Sequence, residues 1–183
     1  MKTPLRVAFA GASGTGKSTL AEWVAHSYNL PLNPIGARSV AAEMGFASPY
    51  DVDKAGKRAE FQQRLLAAKM AWEAEHESFV TDRTTLDNLT YTALHDVHAI
   101  DAATLNTAGK GCERYTHIIV CCIESFFDTA GDPARIADAA YHTIYETLLI
   151  SFLERGRFAT VRGLEFSSLE ERKQELRVAL QIA

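Results

Sequence analysis

Hydrophobic positions along this chain alternate between two periods, continuous apolar runs of four to six residues and longer stretches with apolar residues three and four apart. Leu5 and Val7–Ala10 form an apolar run suited to a buried parallel strand, and Thr19–Tyr28 reads as the helix that follows. The prolines of Asn29–Pro34 leave room for only a short strand. Gly36–Gly45 reads as a short helix stopped by its glycine, and Ser48–Asp51 breaks the chain again. Phe61, Leu65, Ala68 and Trp72 recur at helical spacing and predict a long helix from about Lys54 to Glu77. Phe79–Asp82 is a short β-prone run. Thr84 or Thr85 caps a helix carrying Leu86, Leu89, Tyr91, Ala93 and Leu94. The polar, glycine-bearing stretch Asp101–Arg114 reads as a surface connection. Ile118–Ile123 is a further strand, Asp138–Arg155 a long helix, and Phe158–Val161 a last short strand. Ser168 and Glu171 then match a capping box that opens a C-terminal helix. The alternation predicts a three-layer α/β fold, a parallel sheet of about five strands covered by helices on both faces.

Bulk properties narrow this little. The 183 residues are 47% hydrophobic and 23% charged, as expected of one globular domain over 1–183. Nineteen basic against 23 acidic residues give a formal charge of −4, which argues against broad adhesion to nucleic acid. The first apolar run is too short and too glycine-broken for a signal peptide or membrane span, so a cytoplasmic protein with no membrane partner is expected. Cys112, Cys121 and Cys122 lack zinc or redox spacing, and they read as reduced core thiols, the last two inside the predicted strand Ile118–Ile123.

The chemistry enters between the first strand and the first helix. Gly11-Ala12-Ser13-Gly14-Thr15-Gly16-Lys17-Ser18 is G-x-x-x-x-G-K-[ST], the phosphate-binding P-loop, and Thr19 continues it. Its glycines allow positive φ, so backbone N–H groups can turn toward a polyphosphate, and the helix N-terminus adds its dipole. Lys17 is expected at an exposed loop position reaching the β/γ-phosphates of ATP, and Ser18 on Mg²⁺. Asp82 ends a strand where open α/β sheets place ligands, so it is the candidate carboxylate for the acceptor hydroxyl or the metal. Arg83 would hold a phosphate bidentately. A lid is expected at about 126–136, with Arg135 shielding the transfer from water. Arg38, Gln62 and Arg64 are candidates for the acceptor side, although consecutive helical residues cannot all face one cleft. Asp128-Thr129-Ala130-Gly131 matches a GTPase D-x-x-G, but no N-K-x-D guanine-reading motif accompanies it.

The stretch Thr81–Tyr91, TDRTTLDNLTY, resembles the D-R-[YST]-x-x-S-x-x-A-Y signature of thymidylate kinases and related P-loop nucleoside and nucleotide kinases. Asp82, Arg83 and Tyr91 match; Thr84 and Asp87 depart from the favoured tyrosine and serine. The surroundings also resemble the small kinase-like ATPase family that includes nicotinamide-riboside kinase domains and phage kinases. There Gly36-Ala37-Arg38 resembles an acceptor-side motif, and Arg162-Gly163 with Glu170-Glu171-Arg172 an adenine-side loop and final helix. The resemblance implies an ATP- and Mg²⁺-dependent kinase for a nucleoside, nucleotide or related acceptor, with Asp87 and Tyr91 on the acceptor side. It also implies a homodimer as one assembly, and host cytoplasm if the protein is phage-encoded. Two alternatives stay open. One is phosphorylation of 5-hydroxymethyluracil in DNA; the other is an ATPase switch acting on a macromolecular partner.

Overall fold

Four parallel strands in the order β2-β1-β3-β4 form the sheet in the computed structural model, with β1 (Arg6–Ala10) between β2 (Phe79–Asp82) and β3 (His117–Val120), and β4 (Val161–Gly163) at the edge. The structure describes residues 3–128, 138–156, 158 and 161–180, with only the backbone at 161 and 162.

The period-two pattern of β1 decides what lies on each face. Val7 and Phe9 meet Leu20, Ala21 and Val24 of α1 (Lys17–Tyr28) and Leu176 of α8 (Leu169–Ala179). Ala8 and Ala10 face the opposite layer. It is built from α5 (Thr85–His95), α6 (Ala102–Cys112) and α7 (Ala139–Gly156), with Leu86, Leu89, Ala108, Tyr145 and Leu149 in its core. A satellite cluster of Val40, Val52 and Phe61 joins α2 (Ala37–Glu43), α3 (Pro49–Lys54) and α4 (Arg58–Ala74) beside the sheet. The three-layer expectation therefore holds. Among the described residues no helix is long and apolar enough to cross a membrane.

Several boundaries differ from expectation. Among the described residues the sheet has four strands rather than about five, because Leu32 makes a single parallel bridge to Val80 and the flanking Pro31 and Pro34 cannot extend it into a ladder. The helix expected over Lys54–Glu77 begins only at Arg58, after a turn where Gly56 takes φ +68°, and the stretch expected as a break at Ser48–Asp51 opens the short helix α3 instead. Asp101–Arg114 is not a bare connection: Asp101 caps α6, accepting from the Thr104 N–H at 2.7 Å. Gly109 and Gly111 sit inside that helix. At Gly111 a side chain would collide with Thr85, so packing against α5 selects the glycine despite its poor helix propensity. The third strand stops at Val120, leaving Cys121 and Cys122 just beyond it, and the last strand starts at Val161. All three cysteines are free, with Cys112 and Cys121 buried and Cys122 half-buried.

Candidate active site

β1 delivers the chain into Gly11, Gly14 and Gly16, all at positive φ. At Gly11 a Cβ would strike the Cys121 carbonyl, so the close passage of two strand ends requires glycine there. Gly16 precedes α1 in the left-handed conformation, and no side chain caps the helix. The first-turn N–H groups thus remain available to an anion.

Lys17 is only 4% exposed, against the expectation of an exposed loop lysine. Its ammonium donates to the Ala12 carbonyl and, at 3.2 Å, to Thr15 Oγ1. Burial, with Arg83 nearby, lowers its pKa from 10.5 to about 8.

β2 pairs Asp82 with Phe9, which sets its carboxylate beside the P-loop. Ser18 Oγ donates to Asp82 Oδ2 at 2.5 Å, while Asp82 Oδ1 is buried without a partner. Burial alone would raise this carboxyl, but Lys17, Arg83 and the Ser18 hydroxyl outweigh it and hold the pKa below the ordinary range. A buried, ionised oxygen with no donor, next to a serine hydroxyl and a phosphate-binding loop, suits a hard divalent cation.

Arg83 turns under the P-loop. Its guanidinium donates to the Gly11 carbonyl at 3.3 Å, Ser13 Oγ at 3.0 Å and Tyr145 OH at 3.2 Å, and it stacks over Tyr91 at 4.9 Å. The expected phosphate clamp is thus a support of the loop, still on the cleft wall.

Asp87, an expected acceptor-side residue, is instead fully buried behind that wall. Its Oδ1 accepts from Gly11 N–H at 3.2 Å and Tyr145 OH at 2.7 Å, and its Oδ2 from Thr84 N–H at 2.9 Å and Thr84 Oγ1 at 2.7 Å. With both oxygens occupied by the protein, it has nothing left to offer an acceptor.

A cavity of about 760 Å³ runs from Gly14–Thr19 past Asp82 and Arg83 to a chamber walled by α4, α5 and the start of α2. Gln62, Tyr91 and Arg38 reach it as expected. Gln62 Oε1 accepts from Asn88 Nδ2 at 2.6 Å, and Tyr91 OH lies 3.1 Å from Ser13 Oγ. Arg64 does not reach it: two residues past Gln62 on the helix, it pairs with Glu60 on the outer face of α4 at 2.7 Å. Gly163 pairs with Val120 at the sheet edge outside the cavity, Arg162 is described only as backbone paired with Ile119, and Arg135 lies outside the described residues with most of the expected lid.

Two residues of the site, Arg58 and Lys69, escaped the sequence reading, and Arg172 entered it only through the resemblance to an adenine-side final helix. Arg58, on the chamber wall, donates to both Asp53 oxygens at 2.8 and 3.0 Å, and its Nε is buried without a partner. Arg172 reaches across from α8 and donates to the Thr15 carbonyl at 2.9 Å, gripping the P-loop from behind. Lys69 is 3% exposed at the junction of the chamber and Asp82. In the sequence, Lys69 and Glu73 look like an ordinary solvated i, i+4 pair.

A family model described as an AAA domain matches residues 6–172. No curated protein sequence matches the chain. Among solved structures, NadR in complex with NAD and AMP-PNP superposes with a TM-score of 0.70 at 16% identity, covering 99% of this chain and 51% of NadR. The chain thus spans about half the length of NadR. Shikimate kinase from Aquifex aeolicus gives 0.61 at 14% identity over 97% of this chain and 96% of that one. Deoxyadenosine kinase from M. mycoides, with dCMP and dCDP bound, gives 0.61 at 14% over 98% and 100%. At these identities the likeness establishes a shared P-loop α/β fold.

Proposed function

We propose that this chain, which belongs to the AAA domain family, is a kinase moving the γ-phosphate of ATP to a nucleoside, nucleotide or related acceptor. Residues 1–183 then act as one P-loop kinase-like unit. The observation that carries this reading is one continuous cavity that joins the P-loop and Asp82 to a second chamber large enough for an acceptor. An ATPase that uses only water needs no such chamber.

The donor side follows from the residues. With the Gly11 N–H spent on Asp87, the backbone N–H groups of Ala12–Ser18 and the bare N-terminus of α1 cradle the polyphosphate. Lys17 exchanges its Ala12 and Thr15 partners for phosphate oxygens. Ser18 Oγ and Asp82 would hold Mg²⁺, which when bound neutralises charge on the phosphates. Asp82 is held ionised for that task. Arg172 and Arg83 keep the loop in register from behind and below.

On the acceptor side, Phe61 and Tyr91 offer flat apolar walls, the Gln62–Asn88 pair a donor and acceptor edge, and Arg58 an unspent donor. This lining suits a planar, hydrogen-bonding ring such as a nucleobase. Orientation supplies most of the rate, because phosphoryl transfer asks little covalent help of the protein. Arg38 on the chamber wall and, on the sequence alone, Arg135 complete the proposed set.

Incubation with γ-labelled ATP and a panel of nucleosides, nucleotides and DNA carrying 5-hydroxymethyluracil tests the reading. Label on at least one free acceptor is expected. Release of phosphate without transfer, stimulated only by a macromolecule, would replace the kinase with an ATPase switch.

A further inference from the structure

A buried ammonium is costly to desolvate and persists only where its partners are well placed. Lys69 meets that condition with one hydrogen bond from Nζ to Thr81 Oγ1, one to the Asp82 carbonyl at 3.1 Å, and Glu73 Oε1 at 3.8 Å. Glu73, 1% exposed, is itself fixed: it accepts from Tyr115 OH at 3.1 Å and from Asn33 Nδ2 at 3.3 Å.

The carbonyl that Lys69 holds belongs to the peptide between Asp82 and Arg83. Arg83 takes φ +76°, a conformation costly for a non-glycine residue that survives only when its surroundings impose it. That peptide is pinned from two sides. Its N–H donates to the Phe9 carbonyl at 2.8 Å, and its C=O accepts from Lys69. Released at the carbonyl end, the peptide could rotate, taking the Asp82 carboxylate away from Ser18 and the Arg83 guanidinium from beneath Gly11 and Ser13.

We infer that Lys69 is a positioning residue, locking the Asp82–Arg83 peptide in its strained conformation and so holding the Asp82 carboxylate toward the metal–nucleotide site from the acceptor helix α4. The inference rests on the reading that Asp82 serves Mg²⁺·ATP, and it requires no particular acceptor.

The test is equilibrium titration of ATP with and without Mg²⁺ on Lys69→Met combined with Glu73→Gln, so that no buried carboxylate is stranded, with Glu73→Gln alone as the control. Metal-free ATP binding should stay within about twofold of wild type. The gain in affinity brought by Mg²⁺ should fall about tenfold to a hundredfold, as when the outer partners of a metal ligand are removed. In an Asp82→Asn background the same pair of changes should cost no further gain. Lys69→Gln, which keeps a donor, is the second variant and should lose the gain by a smaller factor. A folded variant of either kind with the Mg²⁺ gain intact overturns the inference. So does failure of both to fold, since Lys69 would then be a core residue only. Because the titration does not read transfer, an absent acceptor reaction would sink the kinase proposal and leave this one standing.

Discussion

Ser18 and Asp82, sixty-four residues apart in sequence, meet through a 2.5 Å hydrogen bond at the mouth of the P-loop, and the second oxygen of Asp82 is left buried without a donor. This geometry favours the metal over the acceptor as the business of Asp82. Asp82→Asn should weaken Mg²⁺-dependent ATP binding and turnover together, each by about tenfold or more, with metal-free ATP binding little changed. Paired ATP titrations and initial rates check it. A large loss of turnover with Mg²⁺·ATP affinity intact would return Asp82 to the acceptor hydroxyl.

Lys17 makes stability depend on alkaline pH. Its folded pKa of about 8 lies below the ordinary lysine value of 10.5, so between these values the unfolded chain binds more protons. The stability contributed is complete above pH 10.5 and is lost as pH falls through 8, by about 3 kcal/mol in all. Lys17→Met should therefore remain folded and be the more stable protein at pH 7, with the difference shrinking toward pH 10. Thermal unfolding of both proteins across that range reads it out. The same variant should have almost no turnover.

Gln62 and Arg64 separate the two faces of α4. Gln62→Met removes the amide that meets Asn88 on the chamber wall, and acceptor KM should rise about tenfold with ATP KM unchanged. Arg64→Ala, on the outer face, should leave both constants and the melting temperature near wild type. Steady-state kinetics with either substrate varied distinguishes the pair, and an Arg64 effect on acceptor KM would put the cavity wall in the wrong place.

Asp87 is expected to act through folding. Asp87→Ala strips an acceptor from Gly11, Tyr145 and Thr84 at once and leaves Arg83 without its nearest carboxylate at 3.5 Å. Unfolding free energy should fall by about 3–5 kcal/mol, by denaturant titration. A well-folded variant defective only in acceptor KM would restore the recognition role that the sequence suggested.

The P-loop was fully legible because its chemistry is local. Eight consecutive residues carry the positive-φ glycines, the lysine and the hydroxyl, and the flanking apolar periods announce the strand and helix that present them. The strand-end position of Asp82 and the capping of α5 by Thr84 could be read for the same reason. Misreadings fell where a neighbour in space overrode a local preference. Gly111 looks like loop until Thr85 is seen against it, and the Lys54–Glu77 periodicity hides the turn at Gly56.

The sequence by itself determined the nucleotide cradle, the layered α/β class and the carboxylate that faces the cradle, since each is written in contiguous residues or a simple period. Tertiary structure alone decided which polar side chains are spent inside the protein and which face the cleft. Asp87 and Arg64 look as available in the sequence as Gln62, yet one is consumed beneath the loop and the other faces away from the cavity. Lys69 looks like a surface charge until α4 packs against the sheet and brings it to Asp82, and Arg172, which the resemblance put on the adenine side, is carried by α8 to the Thr15 carbonyl. The physical reason is that burial and partnership belong to pairs of residues far apart in the chain, and no window of sequence contains both members.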